Sequence, residues 1–258
     1  MLIDTHAHLD GPKFDQDREI MMSRAKEAGV KTIINVGFDM PSCQRSIKLA
    51  EAYPTVYAAV GIHPHDAQAV TEEDYLQIEK WAKHPKVVAL GEIGLDYYRD
   101  LSPRDIQERV FRRQLALARH TEKPIIIHNR DAHGDIMTIL REEYHDIPGG
   151  VFHCYAGSLE MAREIIKMGL YISIAGPVTF QNSRRLWEVV EKIPLEWLLI
   201  ETDAPYLTPE PYRGQRNESG YVRYVAEKVA ELKGVAFEKV AAITSENARR
   251  LFHLPATE

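Results

Sequence analysis

Short apolar runs rich in β-branched residues alternate with longer amphipathic stretches along the whole chain, and this rhythm constrains the fold more than any other feature. Eight runs read as strands: residues 2–5, 32–36, 56–61, 87–91, 124–127, 150–152, 170–174 and 197–200. Helical patterns fall between and after them at 15–28, 43–53, 73–83, 105–121, 134–143, 160–167, 183–191, 221–232 and 237–251. Pro41-Ser42, Thr71-Glu72-Glu73 and Ser102-Pro103 read as helix starts. Eight strands, each followed by a helix, predict an α/β chain of the (β/α)8 TIM-barrel class, one domain over residues 1–258, with 237–251 as an added C-terminal helix. An open doubly wound sheet would call for a glycine-rich dinucleotide loop after the first strand, and none is present.

Barrel enzymes carry their chemistry where strands end, so the residues at those positions matter most. The first run leads into His6-Ala7-His8, and imidazoles two apart on a strand share a face. Taken alone, the pair is as readily a polar strand end as a metal site. Further ligand types follow at matching positions: Glu92 after the fourth strand, His128 after the fifth, His153 after the sixth, Asp203 after the eighth. Counting back by two from them reaches Leu90, Ile126, Val151 and Glu201, so each is expected on the inward face. Six such ligands exceed the needs of one tetrahedral ion and suit two divalent cations. The expected assignment gives His6, His8 and Asp203 to one ion, His128 and His153 to the other, and Glu92 to both. Asp203 is also the expected general base. With no thiolate in the set, Mg²⁺, Mn²⁺ and Zn²⁺ are all tolerable.

These residues sit in longer motifs: Asp4-Thr5-His6-Ala7-His8-Leu9-Asp10, Gly61-Ile62-His63-Pro64-His65, Gly91-Glu92-Ile93-Gly94-Leu95-Asp96-Tyr97, His128-Asn129-Arg130-Asp131-Ala132, His153-Cys154-Tyr155-Ala156-Gly157-Ser158 and Glu201-Thr202-Asp203-Ala204-Pro205-Tyr206-Leu207-Thr208-Pro209. Nearly end to end, the chain resembles the TatD family of metal-dependent deoxyribonucleases, within the amidohydrolase-like barrels. The resemblance implies the same six ligands, two ions with Mg²⁺ in use, and DNA as substrate, in the form of single strands or a 3′ end trimmed in the 3′-to-5′ direction. The chain departs from the family at Tyr155-Ala156, where Phe-Ser or Phe-Thr is more usual. Many relatives on this barrel bridge their ions with a modified lysine; Glu92 at that place favours the nuclease branch.

Around the ligands, His63 is expected to contact the scissile phosphate or protonate the leaving oxygen, with mere ordering of its loop as the alternative. Asn129, Arg130, Arg213 and Arg216 are expected phosphate contacts, and Tyr97 and Tyr98 stacking partners. Two other functions compete: a small-molecule amidohydrolase, lactonase or deacylase on the same metals, and a metal-free glycosidase using Glu92 and Glu201. The second would leave the histidines idle. A net charge of −6, from 32 basic and 38 acidic residues, argues against a surface built for duplex nucleic acid but not against a local phosphate site. Two cysteines, Cys43 and Cys154, with no leader pattern, point to the cytoplasm. No apolar stretch approaches the ~20 residues of a membrane span, and no obligate protein partner is evident.

Overall fold

The computed structural model describes residues 1–255, so the last three residues of the expected domain lie outside the described part. Strands and helices alternate as β1 (Leu2–Ala7), α1 (Arg18–Glu27), β2 (Val30–Val36), α2 (Met40–Ala52), β3 (Val56–Val60), α3 (Glu72–Ala82), β4 (Val87–Asp96), α4 (Arg104–Thr121), β5 (Ile125–Arg130), α5 (His133–Glu143), β6 (Gly150–Phe152), α6 (Leu159–Lys167), β7 (Tyr171–Ile174), α7 (Arg184–Lys192), β8 (Leu198–Ile200), α8 (Val222–Lys233) and α9 (Phe237–Phe252). The strands follow chain order in the sheet, which is the (β/α)8 barrel class with α9 added at the C-terminal end. No helix among the described residues is long and apolar enough to cross a membrane.

Two compact units make up the chain: Met1–Asn35 with His153–Glu258, and Val36–Phe152. In the first unit, β1 pairs in parallel with β2 and β7 with β8. A bridge between Ala7 and Ala204 joins the end of β1 to the chain beyond β8. Asp203 N–H donates to His6 O at 2.9 Å and His8 N–H to Ala204 O at 2.7 Å, so the two ligand-bearing segments are laced together by backbone. Asp4 strengthens this seam by accepting the Thr202 N–H at 2.9 Å and its hydroxyl at 2.7 Å. Burial pushes the Asp4 carboxyl up to about 7, so these bonds offset a real desolvation cost. Helix α9 is pinned by Asn247, whose amide donates to Leu195 O and Leu198 O.

In the second unit, β3, β4, β5 and β6 form parallel neighbours. Gln114 of α4 holds the turn after β3 by accepting from Ile62 N–H and donating to Ile62 O. Asp39 caps α2 through a reciprocal pair with Ser42, three residues earlier than the sequence suggests, and Thr71 caps α3 in the same way with Asp74.

One difference from the sequence reading matters for the site. β4 does not stop at Gly91 but runs on to Asp96, buried throughout, so Glu92 lies inside the strand. The extension pairs Ile93 with Ile127 and Gly94 with His128. Gly94 permits it: its φ is +147°, and a Cβ there would stand 2.0 Å from the His128 carbonyl. His6 and His128 likewise sit within their strands, whereas His153 and Asp203 lie just beyond theirs.

Candidate metal centres

Each unit gathers its own histidine and carboxylate cluster. In the first, the Nε2 atoms of His6 and His8 lie 3.2 Å apart, and Asp203 Oδ1 lies 3.8 Å from the former and 3.4 Å from the latter. His6 is fully buried and His8 nearly so. At most one proton can sit between two facing imidazole nitrogens, and a cation at about 2.0–2.2 Å from each donor would satisfy all three groups together. Burial pushes the Asp203 carboxyl up, but the hydrogen bond from His8 and the nearby imidazoles of His6 and His153 outweigh it, holding the group below its usual range. Asp203 therefore stays ionised at neutral pH.

His153 stacks on His6 with ring centroids 4.0 Å apart, and its Nδ1 lies 3.3 Å from Glu201 Oε1. His6, His153 and Glu201 form a second ligand group in this unit. Glu201 Oε1 also accepts the Cys154 N–H at 2.7 Å, whereas its buried Oε2 has no hydrogen-bond partner among the described residues. A buried carboxylate oxygen left this way is costly, and a cation in the cluster would relieve it. Cys154 has φ +43° and lies beyond the end of β6, so strand alternation does not govern its direction.

In the second unit, His128 lies between two carboxylates: Nδ1 is 2.7 Å from Glu92 Oε1 and Nε2 is 3.0 Å from Asp96 Oδ2. Asp96 Oδ2 also receives His65 Nε2 at 2.9 Å, while Oδ1 accepts the Tyr98 and Arg99 amides. Burial works against the Asp96 charge, yet the His128 and His65 bonds hold its carboxyl well below the ordinary range. A proton on His128 Nε2, donated to Asp96, leaves Nδ1 with a lone pair beside Glu92, the tautomer a ligand needs. His63 completes the group, with Nε2 3.5 Å from Glu92 Oε1. Its Nδ1 accepts the His65 N–H, so its own proton sits on Nε2. Burial, then the His128 imidazole, lowers His63 to about 4. It is a neutral hydrogen-bond donor at neutral pH, not the imidazolium acid that protonation of a leaving oxygen requires.

The expected phosphate contacts divide. Arg216 is engaged elsewhere: its guanidinium pairs with both Asp17 oxygens at 2.7 and 2.6 Å and donates to Lys13 O. Arg130 lies over the exposed ring of Tyr98 at 3.9 Å, and Arg213 over Phe180 at 4.1 Å. Asn129 pairs with Leu95 in the sheet, and its Oδ1 is buried without a hydrogen-bond partner among the described residues. Tyr97 donates to Glu108 at 3.2 Å and lies under Arg104, which makes it a helix contact. Sequence reasoning passed over Asp96 and His65 as ligand supports and saw Glu201 only as a glycosidase acid. Asp96, at the C-terminal end of β4, and Glu201, two residues before Asp203, carried the positional signal.

A (β/α)8 fold with buried imidazole and carboxylate clusters on its strands defines the class of metal-dependent hydrolases. Comparison with known proteins narrows the class. The model of the family described as TatD related DNase matches residues 3–253. A Bacillus subtilis protein named uncharacterized metal-dependent hydrolase YabD is 54% identical over 254 residues, spanning 98% of this chain and all of the relative. A Salmonella typhimurium protein named 3'-5' ssDNA/RNA exonuclease TatD is 38% identical over 259 residues, covering 98% of this chain and 99% of its own. The crystal structure of YjjV, a TatD homolog from Escherichia coli K12, superposes with a TM-score of 0.92 at 33% identity over 98% of both chains. The chain belongs to the TatD family and is a metal-dependent hydrolase.

Proposed function

We propose that this protein hydrolyses phosphodiester bonds in single-stranded DNA, from the 3′ end, with one divalent cation held by each unit. The observation that carries this reading is the pair of largely buried clusters, His6, His8 and Asp203 in one unit and Glu92 and His128, with His63 beside them, in the other. The name of the Salmonella relative supports the substrate and polarity. Mg²⁺ is the ion we propose in use, on the family resemblance, and the imidazole-rich donor sets suit Mn²⁺ and Zn²⁺ as alternatives. When bound, such ions acidify water and neutralise charge on the phosphate and leaving oxygen. Asp203, ionised and beside His6 and His8, accepts the proton of the attacking water. Glu201 and Asp96 orient His153 and His128 through their second nitrogens. Neutral His63 can donate from Nε2 to a phosphate oxygen, and Arg130 and Arg213 offer guanidinium groups to flanking phosphates. Only two cysteines in 258 residues favour a reducing cytoplasm as the working compartment.

The test is to strip metal with a chelator and incubate the protein with end-labelled single-stranded DNA before and after adding Mg²⁺ or Mn²⁺. Products shortening stepwise from the 3′ end, only with metal restored, are expected. Turnover of an ester, lactone or amide with intact DNA would overturn the nuclease reading.

A further inference from the structure

Among the described residues, few large apolar side chains are exposed, and one of them adjoins a candidate ligand: Tyr206 is 53% exposed, and its ring centroid lies 6.3 Å from that of His8. The backbone around it is held tightly, since Tyr206 N–H donates to Asp203 O at 2.8 Å and buried Asn217 donates its amide to Tyr206 O. The backbone that bears the ring is thereby tied to Asp203 itself. Lys13 Nζ stands 5.1 Å over the ring and forms no ion pair among the described residues. An exposed π-face on an anchored backbone with a cation beside it is the composition that single-stranded nucleic acid recognition uses: the ring takes the base and the ammonium takes a phosphate.

We propose that Tyr206 and Lys13 form a stacking platform for the nucleobase of the nucleotide whose phosphate meets the His6, His8 and Asp203 cluster. The inference rests on the nuclease reading and assigns that substrate a subsite. A separation of 6.3 Å from the His8 ring is less than two steps of a stacked strand at about 3.4 Å per nucleotide, so base and phosphate of neighbouring units can be served together. Tyr98 in the other unit is also exposed, but its own Arg130 lies at 3.9 Å over the ring, closer than Lys13 lies to Tyr206. Because every base has a π-face, the platform gives affinity with little sequence preference.

The test compares wild type, Tyr206→Ala, Tyr206→Phe and Lys13→Ala on a single-stranded oligonucleotide and on the same strand with an abasic 3′-terminal nucleotide. Metal-loaded protein gives KM and kcat; fluorescence anisotropy of labelled strand with chelated protein gives Kd. Tyr206→Ala should raise KM and Kd roughly tenfold on the base-bearing strand and leave kcat within about twofold. The same variant should behave like wild type on the abasic strand, and Tyr206→Phe should restore binding. Lys13→Ala should weaken both strands alike. If wild type binds and cuts both strands but Tyr206→Ala changes neither KM nor Kd, or changes them equally on the two, the platform is refuted and the nuclease reading stands. If wild type neither binds nor cuts any strand, both fall together.

Discussion

Glu201 and Asp203 are two residues apart, yet they meet different partners. Asp203 offers an oxygen to the His6 and His8 nitrogens, whereas Glu201 accepts a backbone amide and faces the far nitrogen of His153. Replacing Glu201 by Gln keeps an acceptor for Cys154 N–H but removes the charge that supports the imidazole. Its expected effect is a loss of metal affinity of at least about tenfold, as is common for groups that orient a ligand, with turnover recovered at saturating metal. With Asp203 as the proposed base, Asp203→Asn should instead lose about a thousandfold in turnover even at saturating metal, with only partial loss of bound ion. Chelator competition and metal-titrated rates separate the two variants. Equal recovery of both by added metal would remove Asp203 from the chemistry.

At the scale of elements, the long connection after β8 is clamped to the start of α1. Arg216 grips Asp17, which precedes α1, while Arg24 within α1 pairs with Glu218 and reaches Asp17 at 3.3 Å. The Arg216 hydrogen bond holds Asp17 at about 2, below its ordinary 3.8. A lowered carboxyl contributes stability above the unfolded value and loses it as pH falls through the folded one. Arg216→Ala should therefore cost about 1 kcal/mol at neutral pH, a modest figure because the pair is partly open to solvent. That difference should shrink as pH falls from about 4 to about 2, in urea midpoints of wild type and variant. A cost independent of pH would mean that the arginine acts through packing on Phe14, over which it lies at 4.5 Å. Nothing in the local sequence pairs residue 216 with residue 17, which is why an arginine-rich loop reads as a phosphate site until the fold is seen. Strand rhythm, by contrast, is local, and among the described residues the eight strands and nine α-helices lie within a few residues of where periodicity puts them. β4 is the exception, because its last residues pair only where Gly94 lets β5 come close, a tertiary condition that apolar counting cannot register. Of the candidate site, the histidines and carboxylates that gather in the two clusters could be picked out from their positions at strand ends. Their supports could not, since a carboxylate that orients an imidazole looks in sequence like any polar residue at a strand end.

For the molecule as a whole, net charge is −6, so a nucleic acid meets general repulsion and must be held by a few local cations. Lys13, Arg130 and Arg213, each over an aromatic ring, are the cations proposed for this part, whereas Arg216, Arg24 and Arg112 are held in ion pairs within the protein. About three phosphate contacts on a single strand imply that log K falls against log salt with a slope near −2, since each contributes about 0.7. Proteins that track long strands with broad basic surfaces give slopes several times steeper. Anisotropy titrations of a labelled oligonucleotide across a range of salt read the slope directly. Lys13→Ala and Arg213→Ala should each make it shallower by about 0.7, whereas Arg216→Ala should leave it unchanged. A slope of −5 or steeper would show that a wider surface holds the strand, and loss of slope in Arg216→Ala would show that its pair with Asp17 opens to receive the phosphate.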